Sequence, residues 1–198
     1  MNKAFIFDMD GVIVDSENTW IKYGNNFFSG LVGKDIAEKI GNIIGMTINS
    51  EYEKAAYIYS KASLTKNINK LGEKLISLGF KLGLVSSSRQ NWINHVLPQL
   101  SFNKSLARII SVNDRPDLKS KSDAYLEAIR KLGAIPKTTI ILEDSNSGIA
   151  AAKETGAFVI GFQENLVPGY KQKGADVYAK NVDEVIRIVQ SKSLPFDL

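Results

Sequence analysis

Ala4-Phe5-Ile6-Phe7-Asp8-Met9-Asp10-Gly11-Val12-Ile13-Val14-Asp15 decides how this chain is read. The first four residues have the β-branched and aromatic content of a short strand covered on both faces. Two carboxylates stand where that strand ends, and Gly11 permits a tight turn after them. Ligands of open α/β sheets collect at this edge. If the strand period continued, Asp8 and Asp10 would leave on one face, about 7 Å apart. Like charges that close repel, and a cation or a shared proton would relieve them. The plain alternative is a solvated turn, in which Asp and Gly are common.

Outward from this segment, helix-length stretches alternate with short apolar runs near 3–8, 81–86, 108–112, 138–142, 157–162 and 175–179. That alternation predicts an α/β protein with a parallel sheet and helices on both faces. Leu71, Leu75 and Leu78 give residues 67–79 helical spacing. The stretch between the first two strands is too long for a simple crossover. It reads as helices: Ser16 caps one through Phe28, Gly33 begins one to Ile40, and Ser50 begins one through Lys61, with Gly41 and Gly45 marking a loop.

Composition sets limits without naming a chemistry. The 198 residues suffice for one domain with an insertion or two small domains, and 44% hydrophobic with 23% charged residues is ordinary globular usage. No apolar run approaches the ~20 residues of a membrane span, and the sequence enters a strand directly where a signal peptide would stand, so a soluble, cytoplasmic protein is expected. Zero cysteines excludes disulfides, thiolate nucleophiles and zinc–cysteine sites. The net charge of +4 comes from scattered lysines with no aromatic interleaving, which fits anionic metabolites better than nucleic acid.

Three later segments repeat the pattern of a strand that ends in polar groups. Lys81-Leu82-Gly83-Leu84-Val85-Ser86-Ser87-Ser88 ends in hydroxyls, which with the backbone N–H groups of the next turn suit phosphate oxygens or, more simply, cap the helix near Arg89–Leu97. Lys119-Ser120-Lys121-Ser122-Asp123-Ala124-Tyr125 offers two lysines at a helix start, either facing a site or lying on the surface. Thr139-Ile140-Ile141-Leu142-Glu143-Asp144-Ser145 closes a strand in paired acids; these suit magnesium, while Asp144 or Ser145 also serves as N-cap for a helix over 148–155.

Taken in order, the four segments resemble the motifs of the haloacid dehalogenase superfamily. Asp8, Asp10, Gly11, Asp15 and Ser16 match its Asp-x-Asp-Gly-x-x-x-Asp-Ser/Thr. Ser86 matches its strand-terminal Ser or Thr. Asp123 and Tyr125 set the register of Lys-Pro-x-Pro-Asp-x-Phe/Tyr so that Lys119 is the matching lysine, with both prolines replaced by serine and Lys121 a rival. Glu143-Asp144 and the later Gly148-Ile149 match the fourth motif. The resemblance implies a Rossmann-like core of residues 1–15 and 67–198 with a helical cap at 16–66. It also implies a magnesium-dependent phosphatase on a small phosphorylated metabolite. Asp8 would be the nucleophile that forms an aspartyl-phosphate, and Asp10 the acid and then base. Ser86, Ser87 and Lys119 would hold the phosphoryl group. Magnesium would be held by Asp8, the Asp10 carbonyl and Asp144, with Glu143 direct or through water.

The resemblance is nearest to the β-phosphoglucomutase-like group, which contains mutases and phosphatases. Mutases there carry a cap loop Lys-Gly-x-x-Arg, whereas this chain has Ile44-Gly45-Met46-Thr47-Ile48, without either charge. That difference favours a phosphatase, with a phosphosugar mutase as the alternative and a non-catalytic phosphometabolite-binding protein as a third reading. Trp20 stands where the mutases have a cap histidine and would either contact substrate or pack. His95, the only histidine, falls within a helix and is expected to be structural or exposed. A monomer is expected, with neither nucleic acid nor membrane as partner.

Overall fold

In the computed structural model, residues 2–20, 22 and 57–191 are described, and the fold is built from these. Six strands pair in parallel: β1 (Lys3–Phe7), β2 (Phe80–Ser86), β3 (Leu106–Ser111), β4 (Thr139–Glu143), β5 (Phe158–Phe162) and β6 (Val177–Ala179). Their order is β3-β2-β1-β4-β5-β6, so the chain starts at the middle of the sheet and builds outward in both directions. Each of the six apolar runs read as a strand is one. The order of strands reverses at β1, and the crevice at such a switch point is where open α/β sheets place ligands.

Both faces of the sheet are covered, which is why its strands are apolar at nearly every position. Phe5 and Phe7 of β1 join Leu82, Leu84, Ile140 and Leu142 in one core. That core is closed by α1 (Ile68–Ser77), α2 (Gln90–Val96) and α5 (Val182–Gln190), through Leu71, Ile93 and Val185 among others. Ala4 and Ile6, one residue out of phase, join Ile141, Val159 and the helices α3 (Lys121–Lys131) and α4 (Asn146–Glu154) on the opposite face. Gly72 of α1 lies where an added Cβ would meet the Phe102 ring at 2.1 Å, so this glycine lets the ring pack close to the helix.

Register brings the strand ends together. Phe7 pairs with Leu84 on one side and with Leu142 on the other. Asp8, Ser86, Glu143 and Asp144 therefore emerge side by side at the C-terminal edge. The Asp8 N–H still donates to the Leu142 carbonyl, 3.0 Å away, which extends the ladder one residue past β1. The chain then turns sharply: the Met9 carbonyl accepts from the N–H groups of Val12, Ile13 and Val14, and Gly11 takes φ +73°. Residues 16–20 are helical, but Ser16 is not their cap as expected. The Asp15 carboxylate instead accepts the Asn18 N–H, and the Ser16 hydroxyl turns toward the site. Most of the expected cap over 16–66, with its helices and the loop at Ile44–Ile48, lies outside the described residues.

Candidate active site

Asp8 is buried at the strand edge, with the Lys121 ammonium 2.9 Å from its Oδ1. Lys121 also reaches Glu143 Oε1 at 2.6 Å. It is the first residue of α3, and its N-cap Ser120 accepts the Asp123 N–H, which sets the start of the helix. The lysine matched by motif register, Lys119, has an exposed side chain. Lys119 therefore does not meet Asp8, and Lys121 does. Ser120 begins the helix after Lys119, whose backbone N–H donates to Asp123 Oδ2.

Glu143 is fully buried and its carboxylate is saturated by protein donors. Oε1 accepts from Lys121 and from the Tyr125 hydroxyl at 3.0 Å, and Oε2 accepts from the N–H and hydroxyl of Ser145 at 3.1 and 3.2 Å. With four donors in place, this carboxylate suits an outer role behind a metal better than direct ligation. Ser145 also caps α4 by accepting the Gly148 N–H at 3.0 Å, so α4 begins at Asn146, two residues earlier than its sequence pattern indicates.

Among the described residues, Asp8, Glu143 and Asp144 bring one carboxylate oxygen each within 4.8 Å of one another. Hard oxygen donors so arranged fit a divalent cation such as magnesium. The surroundings keep this cluster in place. An added Cβ on Gly11 would lie 1.9 Å from Asp144 Oδ2, so the turn must be glycine for Asp144 to reach its position. Gln172 donates to the carbonyls of Asp144 and Phe162 and pins the strand end from outside.

Electrostatics follow from this crowding. Burial raises the Asp8 carboxyl well above the usual range; Lys121 opposes the rise, while Glu143, Asp144 and Asp10 add to it. Burial together with Glu143 pushes Asp144 up to about 8, against the lowering pull of Lys121. Burial works against the Lys121 charge, but Asp8 and Glu143 outweigh it and hold the ammonium more tightly than in water. Once ionised, the three acids would outnumber the one lysine, and a divalent cation would neutralise the surplus.

Asp10 has a different environment from Asp8. Its Oδ1 accepts from the hydroxyls of Ser16 and Tyr59, both at 2.6 Å, and its Oδ2 from the Ser88 hydroxyl at 2.6 Å. Its side chain is thus held by three hydroxyls. Ser86 is fully buried, and its Oγ accepts the Ser88 N–H at 2.9 Å. Ser87, expected to hold phosphate, points to solvent, and Ser88 is the inward hydroxyl. Trp20 is half-buried and packs on the core containing Phe5 and Phe7, and His95 is exposed.

Tyr59, Ser88 and Ser16 were not legible as partners of Asp10. From sequence Ser16 reads as a motif position and helix cap, Ser88 as one of three hydroxyls after β2, and Tyr59 gives no signal within a segment read as cap helix.

Comparison with known proteins gives a consistent lineage. A family model described as haloacid dehalogenase-like hydrolase matches residues 48–162, more than half of the chain. Hexitol phosphatase B of Escherichia coli (strain K12) is 28% identical over 177 residues, covering 76% of this chain and 78% of that protein. β-Phosphoglucomutase of Bacillus subtilis (strain 168) is 25% identical over 212 residues, covering 92% and 91%. The fold superposes on CbbY from Rhodobacter sphaeroides, solved in complex with phosphate, with a TM-score of 0.73 at 20% identity and coverage of 93% and 96%. Among the described residues no helix is long and apolar enough to cross a membrane. The parallel sheet, the strand-end acids and the family match lead to one assignment: the chain belongs to the haloacid dehalogenase-like hydrolases.

Proposed function

We propose that this protein is a magnesium-dependent phosphatase acting on a small phosphorylated metabolite through an aspartyl-phosphate intermediate. The observation that carries the reading is the Asp8 carboxylate, buried beside Lys121 and within reach of Asp144 at the sheet's switch point. In the first step an Asp8 oxygen forms a bond to phosphorus while the bond from phosphorus to the leaving alkoxide breaks. Asp10, protonated, gives its proton to that alkoxide; as carboxylate it then takes a proton from the water that attacks the aspartyl-phosphate. Lys121 and the Ser86 hydroxyl hold the phosphoryl oxygens as charge builds. Asp8, Asp144 and the Asp10 carbonyl would hold a magnesium ion, which would neutralise charge on the phosphoryl oxygens.

Phosphatase is preferred to mutase because Ile44 and Ile48 bring no cation to the cap loop for a second phosphate. The hexitol phosphatase likeness makes phosphorylated sugars and polyols the first substrates to try. The reading includes a cytoplasmic monomer that works without nucleic acid, and sedimentation of the purified protein checks its oligomeric part.

The test is release of inorganic phosphate from a panel of sugar, polyol and aryl phosphates, with magnesium and with chelator. Magnesium-dependent release that is lost in Asp8→Asn is expected. No release from any substrate would favour a binding protein, and net conversion of β-glucose 1-phosphate to glucose 6-phosphate would favour the mutase.

A further inference from the structure

The helical stretch 57–61 sends one side chain into the site. Tyr59 is 3% exposed, its ring stacks on Trp92 with centroids 6.0 Å apart, and its hydroxyl donates to Asp10 Oδ1 at 2.6 Å. The same hydroxyl lies 2.9 Å from Ser88 Oγ, and Ser88 donates to Asp10 Oδ2 at 2.6 Å. The two hydroxyls and the carboxyl thus close a ring. Burial and the neighbouring Asp10 charge push the Tyr59 phenol far above its usual range, so it keeps its proton.

We propose that Tyr59 is a positioning residue for Asp10: with Ser88 it holds the carboxyl in one orientation. Tyr59 donates to one carboxyl oxygen and Ser88 to the other, so the carboxyl cannot rotate without giving up a hydrogen bond from a buried partner. An acid that must later serve as base needs this, since reorienting between steps would cost rate. The inference rests on the phosphatase reading, and it extends that reading to a residue outside the four motifs.

Tyr59→Phe keeps the ring on Trp92 and removes only the hydroxyl. The experiment measures kcat/KM for an alkyl phosphate and for an aryl phosphate with a nitrophenolate leaving group, using one preparation of each protein. A nitrophenolate leaves with little protonation, so misplacing the acid should cost the alkyl substrate about tenfold more than the aryl one. The ratio of the two does not depend on what fraction of the variant is folded. Equal losses on both substrates, or none, would overturn the proposal and leave Tyr59 an anchor for its helix. Wild-type protein that releases phosphate from neither substrate would overturn the phosphatase reading, and this inference with it.

Discussion

The ammonium of Lys121 sits 2.9 Å from an oxygen of the Asp8 carboxylate, linking the first residue of α3 to the end of the central strand across 113 positions of sequence. Because the same ammonium is 2.6 Å from Glu143, the cation is held from two sides in a buried setting. In the proposed reaction a group so fixed would meet the developing charge of the phosphoryl group without reorganising.

Lys121→Met should therefore lower kcat/KM for a phosphate monoester by roughly 10²–10³-fold, in the range seen when one stabilising donor is removed. Lys119→Met should change it by less than about threefold, since that side chain lies in solvent. Steady-state kinetics of the two variants decide which lysine serves the site. A large loss in Lys119→Met with a small one in Lys121→Met would restore the register given by the motif.

The raised carboxyls of Asp8 and Asp144 predict how stability depends on pH without metal. In the unfolded chain these groups titrate near pH 4. Folded Asp144 holds its proton up to about 8, and Asp8 is raised as well. The folded state thus binds more protons across this window, and its stability falls as pH rises from about 4 toward 8. Magnesium competes with those protons, so its affinity should increase over the same range. Melting temperatures of chelator-treated protein should drop between pH 5 and 8, and added magnesium should raise them more at pH 8 than at pH 6. In Asp144→Ala the magnesium-induced rise should largely vanish. A metal effect that is equal at both pH values would place the cation elsewhere.

Asp10→Asn separates the two steps of the proposed reaction. An aryl phosphate should still phosphorylate Asp8, because its leaving group needs little protonation. Hydrolysis of that intermediate requires a base and should slow by about 10²–10⁴-fold. Phosphate-labelled enzyme, trapped by acid quenching after mixing with a labelled aryl phosphate, should accumulate in the variant and not in the wild type. Absence of label with aryl turnover intact would remove Asp10 from the second step.

The sheet was legible because β1, β2, β4 and β5 are buried on both faces and so write themselves as unbroken apolar runs such as Ala4–Phe7 and Ile140–Leu142. Each run ends in polar residues, so the site edge could be read with it. Lys121 was harder. Its choice over Lys119 depends on where α3 begins, and the Ser120 cap settles that by a single bond to the Asp123 N–H. Ser88 and Tyr59 were beyond reach for another reason. A hydroxyl that meets Asp10 from 78 or 49 residues away leaves no local spacing to detect. Glu143 reads as a candidate ligand because two of its donors, Lys121 and Tyr125 of α3, lie 22 and 18 residues away and leave no local signal.

Gly148 gives the last prediction, and it tests whether Glu143 is as firmly held as its bonds indicate. A Cβ at this position would lie 1.7 Å from Glu143 Oε1 and 2.1 Å from its Cδ. A solvent-facing glutamate would swing aside at little cost. Glu143 is fully buried and tied by Lys121, Tyr125 and Ser145, so moving it breaks several bonds at once. Gly148→Ala should therefore destabilise the protein by about 1–3 kcal/mol, the usual cost of overpacking, and should reduce activity by displacing Lys121. In a Glu143→Ala background the space is open. There the same substitution should be neutral or stabilising by roughly 0.5–1 kcal/mol, as expected for glycine replaced by alanine within a helix. Urea denaturation of the wild type, both single variants and the double variant gives the coupling between the two positions. A Gly148→Ala cost that is the same in both backgrounds would mean that the glycine serves the turn into α4 and not the seat of Glu143.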